Sequence, residues 1–245
     1  MAESLVALFL ALAGGDLVAG GLAGTPLSVR RARAGAVVAC GVWYLLERAW
    51  TPGALDAASV LTTFPPLVLW YLTRNGSTSP GAAASRRAVV SLGCFALLFV
   101  PLFVPAFRGD TIATAASPGG SARRELLLLL SIAVFQGPTA NALVRQVLQL
   151  AEISFERQAQ RLRGGRFIGL FERWLIVGLA PASLTAAALV VSAKSLLRFP
   201  ELSSIARAGA EGPANIAEMT EYFLLGSLVS WTIALASAAL LRLPG

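Results

Sequence analysis

Of 245 residues, 56% are Ala, Val, Ile, Leu, Met, Phe, Trp, Tyr or Cys and only 13% are charged, against about a quarter charged in a soluble domain. That leaves too little polar surface to face water on every side, which excludes a water-soluble domain of any size. The net charge is +7, but the basic residues gather beside apolar runs, where the positive-inside rule and anionic headgroups favour them, so membrane lipids and not nucleic acid are the expected partners.

The expected fold is all-α, a bundle of about seven transmembrane helices with six to eight as the range, in one domain over residues 1–245. Helices one to four occupy 1–124, and helices five to seven, which carry the polar motifs, occupy 125–245. The first apolar run spans about Leu5 to Leu22 and includes Gly14, Gly15 and Asp16. Glu3 precedes it and no basic segment does, so it reads as a retained helix and not a cleaved signal. After Arg30, Arg31 and Arg33 comes a second run, about Ala34 to Leu46, short enough that its ends extend into the flanking turns. A third, about Leu55 to Leu72, contains Pro65 and Pro66, which kink or break it.

Residues 73–87 read as a loop around Asn75, Gly76 and Pro80 and include Arg86 and Arg87, as turn-forming residues suggest. The fourth run, about Ala88 to Phe107, exits through Pro101 and Pro105. A second loop, 108–124, ends at Arg123 and Arg124. The fifth run, Glu125 to about Leu150, turns polar along its length and holds a break at Gly137 and Pro138. Residues 152–166 form a charged surface segment. The sixth run, Phe167 to Ala193, would be about 40 Å long as one helix, more than a bilayer core needs. Either tilt absorbs the excess, or Pro181 divides it into a hairpin. The last run is about Met219 to Leu240.

Basic residues give the first, third and fifth connections net charges of about +3, +3 and +2, with the second near −1, the sixth near zero and the fourth about +2. The rule places the odd connections inside, hence the N-terminus outside and the C-terminus inside. Nineteen of the 20 basic residues are arginine, with abundant Ala and Gly, a bias of GC-rich bacterial genes; the expected location is a bacterial cytoplasmic membrane.

A charge at bilayer depth costs several kcal/mol on insertion scales, so polar residues in or beside apolar runs are the candidates. One cluster gathers Arg166, Glu172, Arg173, Lys194, Ser195, Arg198, Glu221 and Tyr222, either as interfacial caps with snorkelling arginines or as pairs across a bundle interior. Lys194 and Arg198 share a helical face and would repel unless a carboxylate or an anionic ligand lies between them. A second set is a channel or packing face: Asp16, Gln136, Asn141, Arg145, Gly226 and Ser230. Asn141, Arg145 and Gln149 recur every four residues as a stripe, and Gly226 and Ser230 make a small-residue face that packs within the chain or between subunits. Asp16 is the acid furthest inside an apolar run and a candidate proton or cation site.

Three blocks in order carry a resemblance: Gly165, Arg166, Ile168, Gly169, Glu172, Arg173; then Ala193, Lys194, Ser195, Arg198, Phe199; then Glu221, Tyr222, Leu224, Gly226, Ser230. Over about residues 135–235 the chain resembles an uncharacterised family of prokaryotic multi-pass membrane proteins. The resemblance implies a membrane-embedded helical fold and supplies no reaction. The amino-terminal half departs from the family's histidine-containing first helix, since this chain has no histidine.

Without histidine, and with Cys40 and Cys94 each inside an apolar run, no metal site or cofactor is expected; a disulfide would require helices two and four to touch. Transport of a small or anionic solute is the leading expectation. An accessory membrane subunit, with a second copy or another membrane protein as partner, and an enzyme acting on a lipid or other apolar phosphate-bearing substrate are the alternatives.

Overall fold

In a computed structural model of the chain, the described residues are 2–19, 29–50, 57–74, 82–99, 120–151, 165–180, 182–183, 185–189, 191–193 and 213–241, and every regular element among them is a helix. The all-helical expectation is therefore met for these residues. The main helices are α1 (Ala2–Val18), α2 (Val29–Trp50), α3 (Ala57–Thr73), α4 (Ala82–Leu97), α5 (Gly120–Phe135), α6 (Pro138–Leu150), α7 (Gly165–Leu179) and α8 (Pro213–Leu240).

Helix α1 is the hub. From Leu5 to Ala13 nearly every side chain is buried, as expected of a helix that is apolar all round, and it packs on α2, α5 and α6. Around it α2 contacts α3, α3 contacts α4, α4 contacts α6, α6 contacts α8 and α8 contacts α7. Phe9 of α1, Trp70 of α3, Phe95 of α4, Phe99 just beyond it, and Phe135 at the end of α5 form a continuous aromatic cluster with centroid separations of 4.7 to 6.3 Å. Helices α1 and α2 meet backbone to backbone: a Cβ built on Gly15 would lie 2.6 Å from the Gly35 carbonyl oxygen, and one on Gly35 would lie 2.7 Å from that of Gly15.

Several boundaries differ from the sequence expectation. Helix α3 runs unbroken through Pro65 and Pro66; each proline withdraws one N–H, and the helix continues past both to Thr73. Two helices start earlier than composition suggested, since α4 begins at Ala82 and includes Arg86 and Arg87 and α5 begins at Gly120, while the exit of the fourth run through Pro101 and Pro105 lies outside the described residues. The fifth run is two helices, α5 and α6, bent by 46° at the expected break. The sixth run ends as a helix at Leu179, and the chain is again helical over 185–189. Between them, Ala182 and Ser183 donate N–H to the Leu179 carbonyl at 3.0 and 2.7 Å. The Ser183 hydroxyl oxygen then accepts from the Ala186 amide at 3.2 Å, the bond a helix N-cap makes. A single continuous helix over 167–193 is thus replaced by a helix, a turn and a new start. Cys40 and Cys94 are free thiols.

Large apolar side chains are exposed on most helices, among them Val37, Leu45, Leu61, Phe171, Leu189 and Leu224, while Asp16, Gln136, Thr139, Glu172 and Arg173 are buried. One described helix, Thr220–Leu240, is by itself long and apolar enough to cross a membrane, and Glu125–Phe135 with Pro138–Leu150 meets the same criterion only as a bent pair. Helix α2 has the length but carries Arg30, Arg31, Arg33, Glu47 and Arg48 at its two ends.

Candidate functional site around the break between α5 and α6

The break follows from backbone hydrogen bonding. Pro138 has no N–H, so the Val134 carbonyl loses its helical donor; Gly137 supplies its own N–H instead, at 3.1 Å. That tightens the turn and frees the Ala133 carbonyl, which Gly137 would have served in an unbroken helix. The carbonyl of Gln136 lies in the turn itself. Buried carbonyls of this kind need donors from elsewhere.

Helix α7 provides them through two consecutive residues. The Trp174 indole N–H donates to the Ala133 carbonyl at 2.8 Å. Arg173 donates to the Gln136 carbonyl twice, from Nε at 3.0 Å and Nη2 at 2.7 Å. Its Nη2 also donates to Asn141 Oδ1 at 2.7 Å and its Nη1 to the Ser230 hydroxyl of α8 at 2.9 Å. Arg173 is 2% exposed, and the neighbouring buried Glu172 is its electrostatic counter-charge. On the adjoining side the Gln136 amide donates to the Ser237 hydroxyl at 2.8 Å, and Ser237 donates to the Ile233 carbonyl one turn back along α8.

A second polar group lies on the α6 side of the break. Asp16 is fully buried in the last turn of α1, where the helix dipole disfavours a negative charge. Two contacts compensate. Oδ1 pairs with Nη2 of Arg74, just past the end of α3, and Oδ2 accepts from the Thr139 hydroxyl in the first turn of α6. The Arg74 side chain is 5% exposed, and its guanidinium carbon lies 4.5 Å from the Tyr71 ring centroid and 5.4 Å from that of Trp70, within cation–π range. Tyr71 donates to the Leu12 carbonyl at 2.7 Å and lies against Gly15, which fixes α3 to α1 beside Asp16.

The structure therefore brings together Asp16, Gln136, Asn141, Arg173 and Ser230 about one break. Gly226 serves packing: a Cβ there would meet Leu148 of α6 at 3.9 Å, so this small-residue face is used within the chain. Arg145 is half-buried further along α6, and the Gln149 carbonyl accepts from Ser85 of α4 at 3.4 Å. Glu221 is exposed and Tyr222 half-buried on α8. Lys194, Ser195, Arg198 and the side chain of Arg166 lie outside the described residues, so the pairing of Lys194 with Glu172 does too. Arg74, Thr139, Trp174 and Ser237 were not singled out from the sequence. Among the described residues no three His, Cys, Asp or Glu come together as a metal site. No family model, curated protein or solved structure matches the chain.

Proposed function

We propose that this chain is a multi-pass protein of a bacterial cytoplasmic membrane, with its N-terminus outside and its C-terminus inside, that passes a small solute past the break between α5 and α6. With the bent pair taken as one span, α1 to α4, α5–α6, α7 and α8 supply seven. What supports a lipid setting is the set of large apolar side chains exposed on most helices, with Asp16, Glu172 and Arg173 buried and the exposed charges of α2, α4 and α5 lying near helix ends.

The observation that carries the transport reading is the discontinuous helix itself. Non-helical backbone at membrane depth is tolerated where it is buried in protein or lines a cavity, and broken helices with a helix N-terminus facing the site recur where transporters hold their solutes. Here the N-terminus of α6 faces a buried carboxylate–arginine pair. The accessory-subunit reading is favoured by one feature, the full engagement of Arg173 with its own chain, which needs no ligand.

Membrane fractions expressing the chain should retain it through alkaline carbonate washing. The purified protein in proteoliposomes should then carry counterflow of at least one member of a panel of small carboxylates, phosphate, amines and neutral solutes. Release by carbonate would contradict the membrane placement. Retention without flux across the panel would favour the accessory reading.

A further inference from the structure

The Asp16 carboxylate occupies a site already suited to a carboxylate from elsewhere. One oxygen is held by Arg74 and the other by Thr139 at the start of a 13-residue helix. That helix begins after Gly137 with no side-chain cap, and with Pro138 lacking an N–H and the Asn141 backbone amide bonded to the Gly137 carbonyl, the Thr139 and Ala140 amides of its first turn have no helical acceptor. Arg74 Nη1 is buried and has no hydrogen-bond partner, as is true of Asp16 Oδ1, which meets Arg74 as an ion pair. A buried guanidinium with a spare donor, beside an uncapped helix start, has capacity for one further oxyanion.

Charge decides what must accompany that oxyanion. With Asp16 ionised, the pair with Arg74 is neutral. A second carboxylate would leave the buried site at −1, a costly state in a low-dielectric interior. Asp16 restores neutrality by taking one proton, because the neutral acid can still hydrogen-bond to Thr139 while its hold on Arg74 weakens. The other charged or titratable described groups on this side do not substitute for it. Tyr71 of α3 is engaged with Leu12, Cys40 of α2 is a half-buried thiol, and Arg31 and Arg33 of α2 are exposed. On α5 the described charge is Glu125, exposed near its start. Arg145 lies six residues beyond Thr139, about 9 Å further along α6, and Glu172 is buried on α7 next to Arg173.

We infer that Arg74 and the first turn of α6 bind the carboxylate of a small solute, and that Asp16 takes up one proton from solution for each carboxylate bound. The inference rests on the transport reading for its purpose, since solute and proton would then move together with no net charge. Binding itself is separable from flux.

Acetate is the probe. Titration calorimetry of the full chain in lipid nanodiscs, repeated in buffers of different ionisation heat, should report one proton taken up per acetate bound. The apparent affinity should rise about tenfold for each unit fall in pH wherever one proton is taken up per acetate. Asp16→Asn should bind acetate without proton uptake and without that pH dependence, and Arg74→Gln should lose binding. Acetate binding by wild type with no proton uptake, binding undiminished in Arg74→Gln, or no binding to wild type at low pH would each overturn the inference. The wild-type proton count stands even where a variant does not fold. Flux of a neutral or cationic solute together with no acetate binding to wild type would sink the carboxylate site and leave transport standing. Proton-coupled acetate binding without flux of any solute would do the reverse.

Discussion

Arg173 makes four hydrogen bonds to Gln136, Asn141 and Ser230, and a planar guanidinium is the side chain that can reach all three at once. Arg173→Leu takes both donors from the buried Gln136 carbonyl and one from the half-buried Asn141 amide oxygen, at about 1–3 kcal/mol for a buried group left unsatisfied. The expected result is a loss of roughly 2 kcal/mol or more in thermal unfolding, with Ser230→Ala losing about 1 kcal/mol; a Leu variant as stable as wild type would remove Arg173 as the cap of the break. Asp16, Gln136, Asn141, Arg173 and Ser230 were legible in the sequence because each is polar where its neighbours are apolar. Their partners were not. Arg74 reads as an ordinary loop charge, and Thr139, Ser237 and Trp174 are common in membrane helices, where Ser and Thr often bond their own backbone. Nor does any local pattern show that Thr139 meets Asp16 across 123 positions or Gln136 meets Ser237 across 101.

Among the elements, the break between α5 and α6 was visible beforehand because Gly137 and Pro138 act locally, through a missing N–H and a tight turn. The unbroken course of α3 through Pro65 and Pro66 was not, because whether a proline ends a helix depends on what packs beside it. If the break is local in origin, the double change Gly137→Ala with Pro138→Ala restores the helical donor and straightens the pair. Spin labels at the exposed positions Leu126 and Leu150 should then move apart by about 3 Å, judged from helix rise, and an unchanged distance would mean that α7 imposes the bend. The crossing of α1 and α2 has a sharper steric requirement. Gly15→Ala pushes a methyl group into the Gly35 carbonyl and Tyr71 and should lower the unfolding temperature of the purified protein markedly. Gly93→Ala, where a Cβ meets nothing within 4 Å, should leave it unchanged or slightly raised, since Ala is the better helix former. Equal effects would contradict the close packing at Gly15.

Across the whole molecule, many large apolar side chains are exposed, while the Asp16–Arg74 pair and Arg173 are buried about one discontinuity. Composition alone carried the first half, because so low a charged fraction leaves few polar residues for the outside. The second half needed the packing of α1, α3, α6, α7 and α8 around residues distant in sequence. Orientation is open to direct test: with Cys40 and Cys94 replaced, a single cysteine in the connection between α1 and α2 should be shielded from an impermeant thiol reagent in intact cells, and labelling there would invert the topology. The most direct measurement is a density map of the protein in a lipid nanodisc, with a bound antibody fragment for size, read at the break between α5 and α6. The account predicts that Gln136 and Pro138 lie within the depth of the acyl chains and that solvent or anion density adjoins Arg74. A dry, closed break, or one level with the headgroups with Asp16 and Arg173 facing them, would contradict it and leave the polar clusters as helix packing alone.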